Sequence, residues 1–221
     1  MKLRANFFLM LVAMLSPLWV SSAKAKPITR DLSDSVQIDL VHGINQIADF
    51  DGKGHAAQIV YAWRENMNAH GYSVYSVLML RPETKNDWNL VTFETHDRSR
   101  KNGTQIDSIT DAPFDGEQAV ASVRFLKVER NGRSVPMAIT ARRDLSSAES
   151  YVDAVPVEFS LYLLAENGDA VPGWPYYYFD RTDHFRSDRR YCNSDMALAQ
   201  ELRLPLPQGY EGPKTKDGCG R

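Results

Sequence analysis

A chain of 221 residues with 26 basic and 28 acidic side chains has a formal net charge of −2 and is 43% hydrophobic. That length suits one all-β domain or two small ones. The slight acidity argues against a nucleic-acid partner, because phosphate binding needs a basic footprint. The two cysteines form no CxxC motif, which argues against a redox function, and supply too few ligands for a Cys/His metal site.

The first segment reads as a targeting signal. Lys2 and Arg4 precede an apolar run from Phe7 to Val20, and Ala23-Lys24-Ala25 offers a small-x-small cleavage pattern. The alternative, a membrane anchor, is short of the ~20 apolar residues a spanning helix needs. We expect residues 1–25 to be a cleaved Sec-type signal peptide and 26–221 a single periplasmic domain, with no integral membrane segment after cleavage. Removing Lys2, Arg4 and Lys24 leaves 23 basic residues against 28 acidic, a net charge of −5. In an exported protein Cys192 and Cys219 are expected to pair. Such a bond would stabilise the C-terminal loop by about 3 kcal/mol. Two free buried thiols are the alternative.

In chain order, residues 26–35 read as a loose arm with a short helical turn after Thr29. Alternation of Val36, Ile38 and Leu40 predicts a first strand. An acidic, glycine-spaced loop follows (Asp49, Asp51, Gly52, Gly54), leading into a strand over Gln58–Trp63. Tyr72–Leu80 is apolar on both faces and predicts a central strand, and Trp88–Glu94 another. Residues 95–118 are polar and rich in turn formers, and long loops on a β scaffold often carry function. Val120–Glu129 and Arg133–Arg142 should pair across Asn131-Gly132, a type I′ turn signal. Asp144–Val155 predicts a short helix or turn capped by Ser146 or Ser147. A second hairpin is expected from Val157–Leu163 across Asn167-Gly168 into a strand through Val171. The run Trp174–Phe179 reads as an edge strand packing its aromatics, or as a stacking surface for a ring. Asn193–Arg203 carries a cap signal and good helix formers. Short alternating strands with little helix predict an antiparallel β-sandwich or barrel, and we take the sandwich, with short terminal helices.

Catalytic signatures are sparse. There is no GxSxG, HExxH or P-loop pattern, and the one SxxK spacing, Ser21 to Lys24, lies in the signal segment. His42, His55, His70, His96 and His184 are scattered without metal-ligand spacing. The acidic loop is the strongest candidate site. Asp49, Asp51 and the Lys53 carbonyl occupy alternate positions where oxygens could hold a structural divalent cation such as Ca²⁺. Ala57 stands where such loops often have an acid, so oxygens from Glu65, Asn66 or residues 107–115 would have to complete the shell. The alternative is a turn whose aspartates only cap it.

DFDGKGHAA followed by YAWRENMNAHGYSVYSVLML and a strand with WNLV resembles the carbapenem intrinsic resistance proteins. The resemblance centres on residues 47–93, and Asp111–Phe125 (DAPFDGEQAVASVRF) resembles them more weakly. It implies an exported, non-enzymatic β-sandwich, a homodimer, a bound cation and structural kinship with periplasmic inhibitors of invertebrate-type lysozyme. The expected function is protection from a β-lactam by binding or sequestration. Alternatives are inhibition of a lysozyme or other hydrolase through a loop such as 95–113, and a cell-wall hydrolase or lactamase with an unrecognised site.

Overall fold

The computed structural model describes residues 30–220 except 69, 83, 85, 96–104, 114–117 and 169–171. The signal-peptide expectation for residues 1–25 lies outside the described residues. In chain order the elements are β1 (Val36–Gln37), β2 (Gly43–Ile47), β3 (Ala57–Arg64), β4 (Tyr72–Leu80), β5 (Trp88–Glu94), β6 (Gln105–Ile106), β7 (Ile109–Thr110), β8 (Ala121–Arg130), β9 (Arg133–Arg143), β10 (Val157–Glu166), β11 (Tyr177–Arg186) and α1 (Ser194–Glu201). No described helix is long and apolar enough to cross a membrane.

The fold is mostly β, as expected, but it is not an antiparallel sandwich. One mixed sheet runs β1-β8-β9-β10-β11-β5-β4-β3-β2 and curls into a half-barrel. It is made of two antiparallel meanders, β2–β5 and β8–β11, joined edge to edge instead of stacked face to face. The join is parallel. Residues Trp88–Val91 of β5 pair with β4, whereas Thr92–Glu94 pair with Tyr178–Asp180 of β11. Of the expected terminal helices only the C-terminal one is found among the described residues.

The curl follows from chain length. β1 and β2 are the two ends of the sheet, yet only residues 38–42 separate them. Six Cα steps span at most about 20 Å. The two edges must therefore face each other across this short strap. This also explains why the strand expected over Val36–Val41 is only two residues long. After Ile38 donates its N–H to the Phe125 carbonyl (2.8 Å), the chain leaves β8 to cross the gap.

Local chemistry accounts for most boundaries. β4 alternates buried and half-buried residues along its whole length and lies between β3 and β5, as its apolar faces predicted. Asn131 and Gly132 both have positive φ (54° and 73°), the type I′ geometry that the β8–β9 hairpin needs. Residues 169–171 of the return strand expected through Val171 lie outside the described residues. Asn167 donates to the Tyr176 carbonyl (2.8 Å), and the return strand begins only at Tyr177. Pro172 and Pro175 have no N–H to give a ladder, so pairing resumes past them. The aromatic run thus enters β11, which is interior to the sheet, not at its edge. The cap of the 3₁₀ turn Leu145–Ser147 is Asp144, not a serine. Asn193 caps α1, its side chain accepting from the N–H groups of Asp195 and Met196. Cys192 and Cys219 form the expected disulfide.

Two apolar clusters hold the sheet. Inside the curl, Phe50, Ile59, Val77, Phe93, Phe125 and Phe179 are buried together. On the outer face of β8–β10, Leu126, Ile139, Phe159 and Leu161 pack against Leu198 and Leu202 near α1 and against Leu32 of the arm. Phe93 and Phe179 stack at 4.9 Å where β5 meets β11, and both are fully buried. Phe179→Ala should cost about 3–5 kcal/mol, measured by urea denaturation. A loss below about 1 kcal/mol would show that the parallel join does not depend on this contact.

Candidate functional site

The acidic loop is built as a clasp. Asp49 has φ +45°, and its side chain accepts from the Gly54 N–H (2.6 Å), while its carbonyl accepts from Lys127 Nζ (2.6 Å). The Asp51 carboxylate is buried. Its Oδ1 accepts from the N–H groups of Lys53 (3.0 Å) and His55 (3.1 Å). Its Oδ2 lies 2.6 Å from His55 Nδ1 and 3.4 Å from the Tyr177 hydroxyl. A Cβ on Gly52 would collide with the Ser134 carbonyl, so the loop is also seated on the β8–β9 hairpin. Burial alone would raise the Asp51 pKa. The hydrogen bonds from the His55 ring and the two backbone N–H groups outweigh it and hold the carboxyl below its ordinary range. Burial, then the Asp51 charge, pushes the Tyr177 phenol up.

This arrangement bears on the cation expected at Asp49, Asp51 and Lys53. Each contact on the Asp51 carboxylate brings a donor. Glu65 accepts from Trp63 Nε1, and Asp111 from β4, so neither of these expected extra ligands is at the loop. Among the described residues no group of three or more His, Cys, Asp or Glu is placed to hold an ion. As arranged, the donors hold one another, and an ion would have to displace them.

A cleft opens at the seam between the two sheet edges. It is about 340 Å³, floored by the strap (Gln37, Ile38, Asp39, Leu40) and walled by Tyr61, Tyr75, Phe125 and Arg124. An adjoining hollow of about 250 Å³ shares Tyr61, Tyr75 and Arg124 and adds Asp111, Asp195 and Tyr210. Tyr61 and Tyr75 are directly opposite in the β3–β4 ladder, stacked at 4.8 Å, and His42 covers Tyr61 at 4.1 Å. The stack makes one rigid wall.

The polar groups come from other elements. Asp111, just after β7, accepts from the Ser73 N–H (2.7 Å) and the Tyr75 hydroxyl (2.8 Å). Burial raises its pKa, and those hydrogen bonds only partly offset this. The Tyr75 phenol is pushed far up by burial and then by the Asp111 charge. Arg124 on β8 pairs with Asp195 at the start of α1 (2.5 Å), both largely buried at 13% and 15% exposure. Ser194 fixes that helix end, its Oγ 2.7 Å from Ser122 Oγ and donating to the Ala119 carbonyl. Two atoms of the lining are buried without a hydrogen-bond partner, Arg124 Nε and Gln37 Oε1. Both atoms are sealed from solvent, and the cleft itself presents the tyrosine rings and the exposed part of the Arg124 side chain.

Fragments of a hydrolytic triad are separated. Asp51 meets His55 in the clasp, whereas Ser160 meets His184 (3.1 Å) across β10 and β11. The seam residues were missed because they spread from Gln37 to Tyr210. A signal existed for two of them: pairing β3 with β4 in register places Tyr61 opposite Tyr75.

The fold is similar to that of CarG. Its crystal structure matches with a TM-score of 0.55 and 20% identity, over 76% of this chain and 95% of CarG. At that identity the likeness shows the fold. No family model and no curated protein matches the sequence.

Two measurements test this geometry. Asp111 has a folded pKa above its ordinary 3.8, so its contribution is most favourable below that value and is lost as pH rises through the raised one. Asparagine can still accept from Ser73. The stability of the wild type minus that of Asp111→Asn should fall as pH rises from about 4. A flat or rising difference would contradict the buried carboxyl. At the clasp, melting should be unchanged between Ca²⁺ and chelator, and a Ca²⁺-dependent rise would restore an ion to Asp49 and Asp51.

Proposed function

We propose that this is an exported, non-enzymatic protein of the carbapenem intrinsic resistance type, binding a β-lactam in the seam cleft. The observation that supports it best is the cleft itself, walled by the stacked Tyr61 and Tyr75 with Arg124 beside them. A carbapenem presents a carboxylate and a lactam carbonyl that can accept from the Arg124 guanidinium, and an apolar ring system to lie along the tyrosine edges. The CarG-like fold is consistent with this reading. The stretches that resemble the resistance proteins supply Tyr61, Tyr75, Asp111, Arg124 and Phe125, five of the residues around the cleft.

Asp195 already neutralises Arg124, so the ligand gains one charge-assisted hydrogen bond and packing, which suits reversible sequestration over turnover. The homodimer belongs to the same proposal. β2 is an edge strand, and Ile44 and the neighbouring Val41 are 66% and 71% exposed, an apolar surface a second copy could cover. Residues 96–104 of the loop offered for hydrolase inhibition, 95–113, lie outside the described residues.

Arg124→Lys keeps a cation for Asp195 but removes the planar guanidinium and its additional donors. A lost hydrogen bond to a charged group is worth about 1.5–3 kcal/mol. Carbapenem affinity by calorimetry should fall about tenfold or more, with intact antibiotic recovered from the wild-type complex. Expression in a sensitive periplasm should raise carbapenem tolerance, and the variant should not. Unchanged affinity in Arg124→Lys, or recovery of hydrolysed drug, would overturn the proposal.

A further inference from the structure

A second concavity shares no lining residue with the seam cleft or its adjoining hollow and is independent of that reading. It is about 660 Å³ and lined by Arg189, Arg190, Lys214, Lys216 and Asp217 beside Cys219. The four cations come from two segments, each just before a cysteine: RRYC and KTKDGC. The Cys192–Cys219 disulfide brings the two segments together.

The enclosure is held in place by more than the bond. Cys192 donates its N–H to the Asp217 carbonyl (2.9 Å). The tail turn closes on itself through Gly218 N–H to Thr215 O (3.1 Å) and Thr215 Oγ1 to Cys219 O (3.0 Å). Gly218 has φ +71°, and a Cβ there would press on Asn193 and Met196, so the turn sits against the start of α1. Arg190 is anchored by Nε to the Ala154 carbonyl (2.7 Å). The four cations are exposed, and none forms an ion pair among the described residues. Asp217 is the one carboxylate of the lining. By contrast, Arg124 and Lys53 each have a carboxylate partner, in Asp195 and Glu166. Here a net charge of about +3 is gathered in a concavity of an otherwise acidic chain, which focuses an attractive field on anions.

We infer that this pocket is a disulfide-templated binding site for a phosphate-bearing anion. Two guanidinium forks and two ammonium groups match the several oxygens of a phosphate, and their excess over Asp217 exceeds what one carboxylate would balance. The volume is larger than a bare phosphate ion needs, which leaves room for the group that carries it. In an envelope protein the same chemistry could come from a lipid headgroup or from a soluble phosphate.

The test uses the full mature protein with three probes: inorganic phosphate, inorganic pyrophosphate, and phosphatidylcholine vesicles with or without phosphatidylglycerol. Saturable binding to at least one phosphate probe is expected, weakening as salt is raised. Lys214→Gln/Lys216→Gln should weaken it at least tenfold with unchanged melting, since both side chains are exposed. Cys192→Ser/Cys219→Ser should weaken it comparably, and Arg189→Gln less. Gln37→Leu in the seam should leave it unchanged. Binding to phosphatidylglycerol vesicles that soluble phosphate does not compete assigns the lipid headgroup, and binding of the soluble probes alone assigns a free phosphate. No saturable binding to any probe, or undiminished binding in the double lysine variant, would overturn the inference. Neither result would bear on the seam.

Discussion

The stacked rings of Phe93 and Phe179 sit where β5 abandons β4 and pairs in parallel with β11. The parallel ladder there is only three residue pairs long, Thr92–Glu94 against Tyr178–Asp180. So few hydrogen bonds, each contributing roughly 1 kcal/mol net, do not by themselves hold two four-stranded meanders at a fixed angle. The buried rings add two large apolar side chains and an aromatic contact at the junction. Tyr162 meets Phe93 edge-on and Phe125 does the same to Phe179, so the stack is gripped from β10 and β8 as well. With the meanders joined there, their far edges are free to curl round towards each other.

The curl creates the seam. The strap of residues 38–42 bridges it, and the cleft takes its wall from one meander and Arg124 from the other. This geometry explains an otherwise expensive feature, the largely buried Arg124–Asp195 pair. Desolvating both charges costs more than their attraction returns unless other hydrogen bonds help. Here Arg124 also donates to the Val123 carbonyl (2.9 Å), and Ser194 ties the helix bearing Asp195 to β8. The pair is held stiffly at the lip of the cleft. Stiffness of that kind lowers the entropy lost when a ligand binds.

Much of the strand pattern was legible. β4 and β5 fall on Tyr72–Leu80 and Trp88–Glu94 as the alternation indicated, and Asn131-Gly132 marked its hairpin because positive φ suits those two residues. The α1 start was readable from Asn193. The parallel join was not, since Phe93 and Phe179 are far apart in sequence and no local pattern distinguishes a partner-switching strand. The loop at 95–118 hid β6, β7 and the Asp111 anchor, because two-residue strands leave no periodicity. The acidic loop drew attention through its carboxylates. Its backbone N–H groups, which satisfy those carboxylates, do not show in residue letters.

The claim that matters most is that the seam is where a ligand sits. Backbone amide shift mapping during titration of the mature protein with a carbapenem tests it directly. The account predicts saturable shifts confined to residues 37–40, 61, 75, 123–125 and 208, on the strap and both sheet edges. Shifts concentrated at the clasp, at the disulfide pocket, or nowhere at all would contradict it.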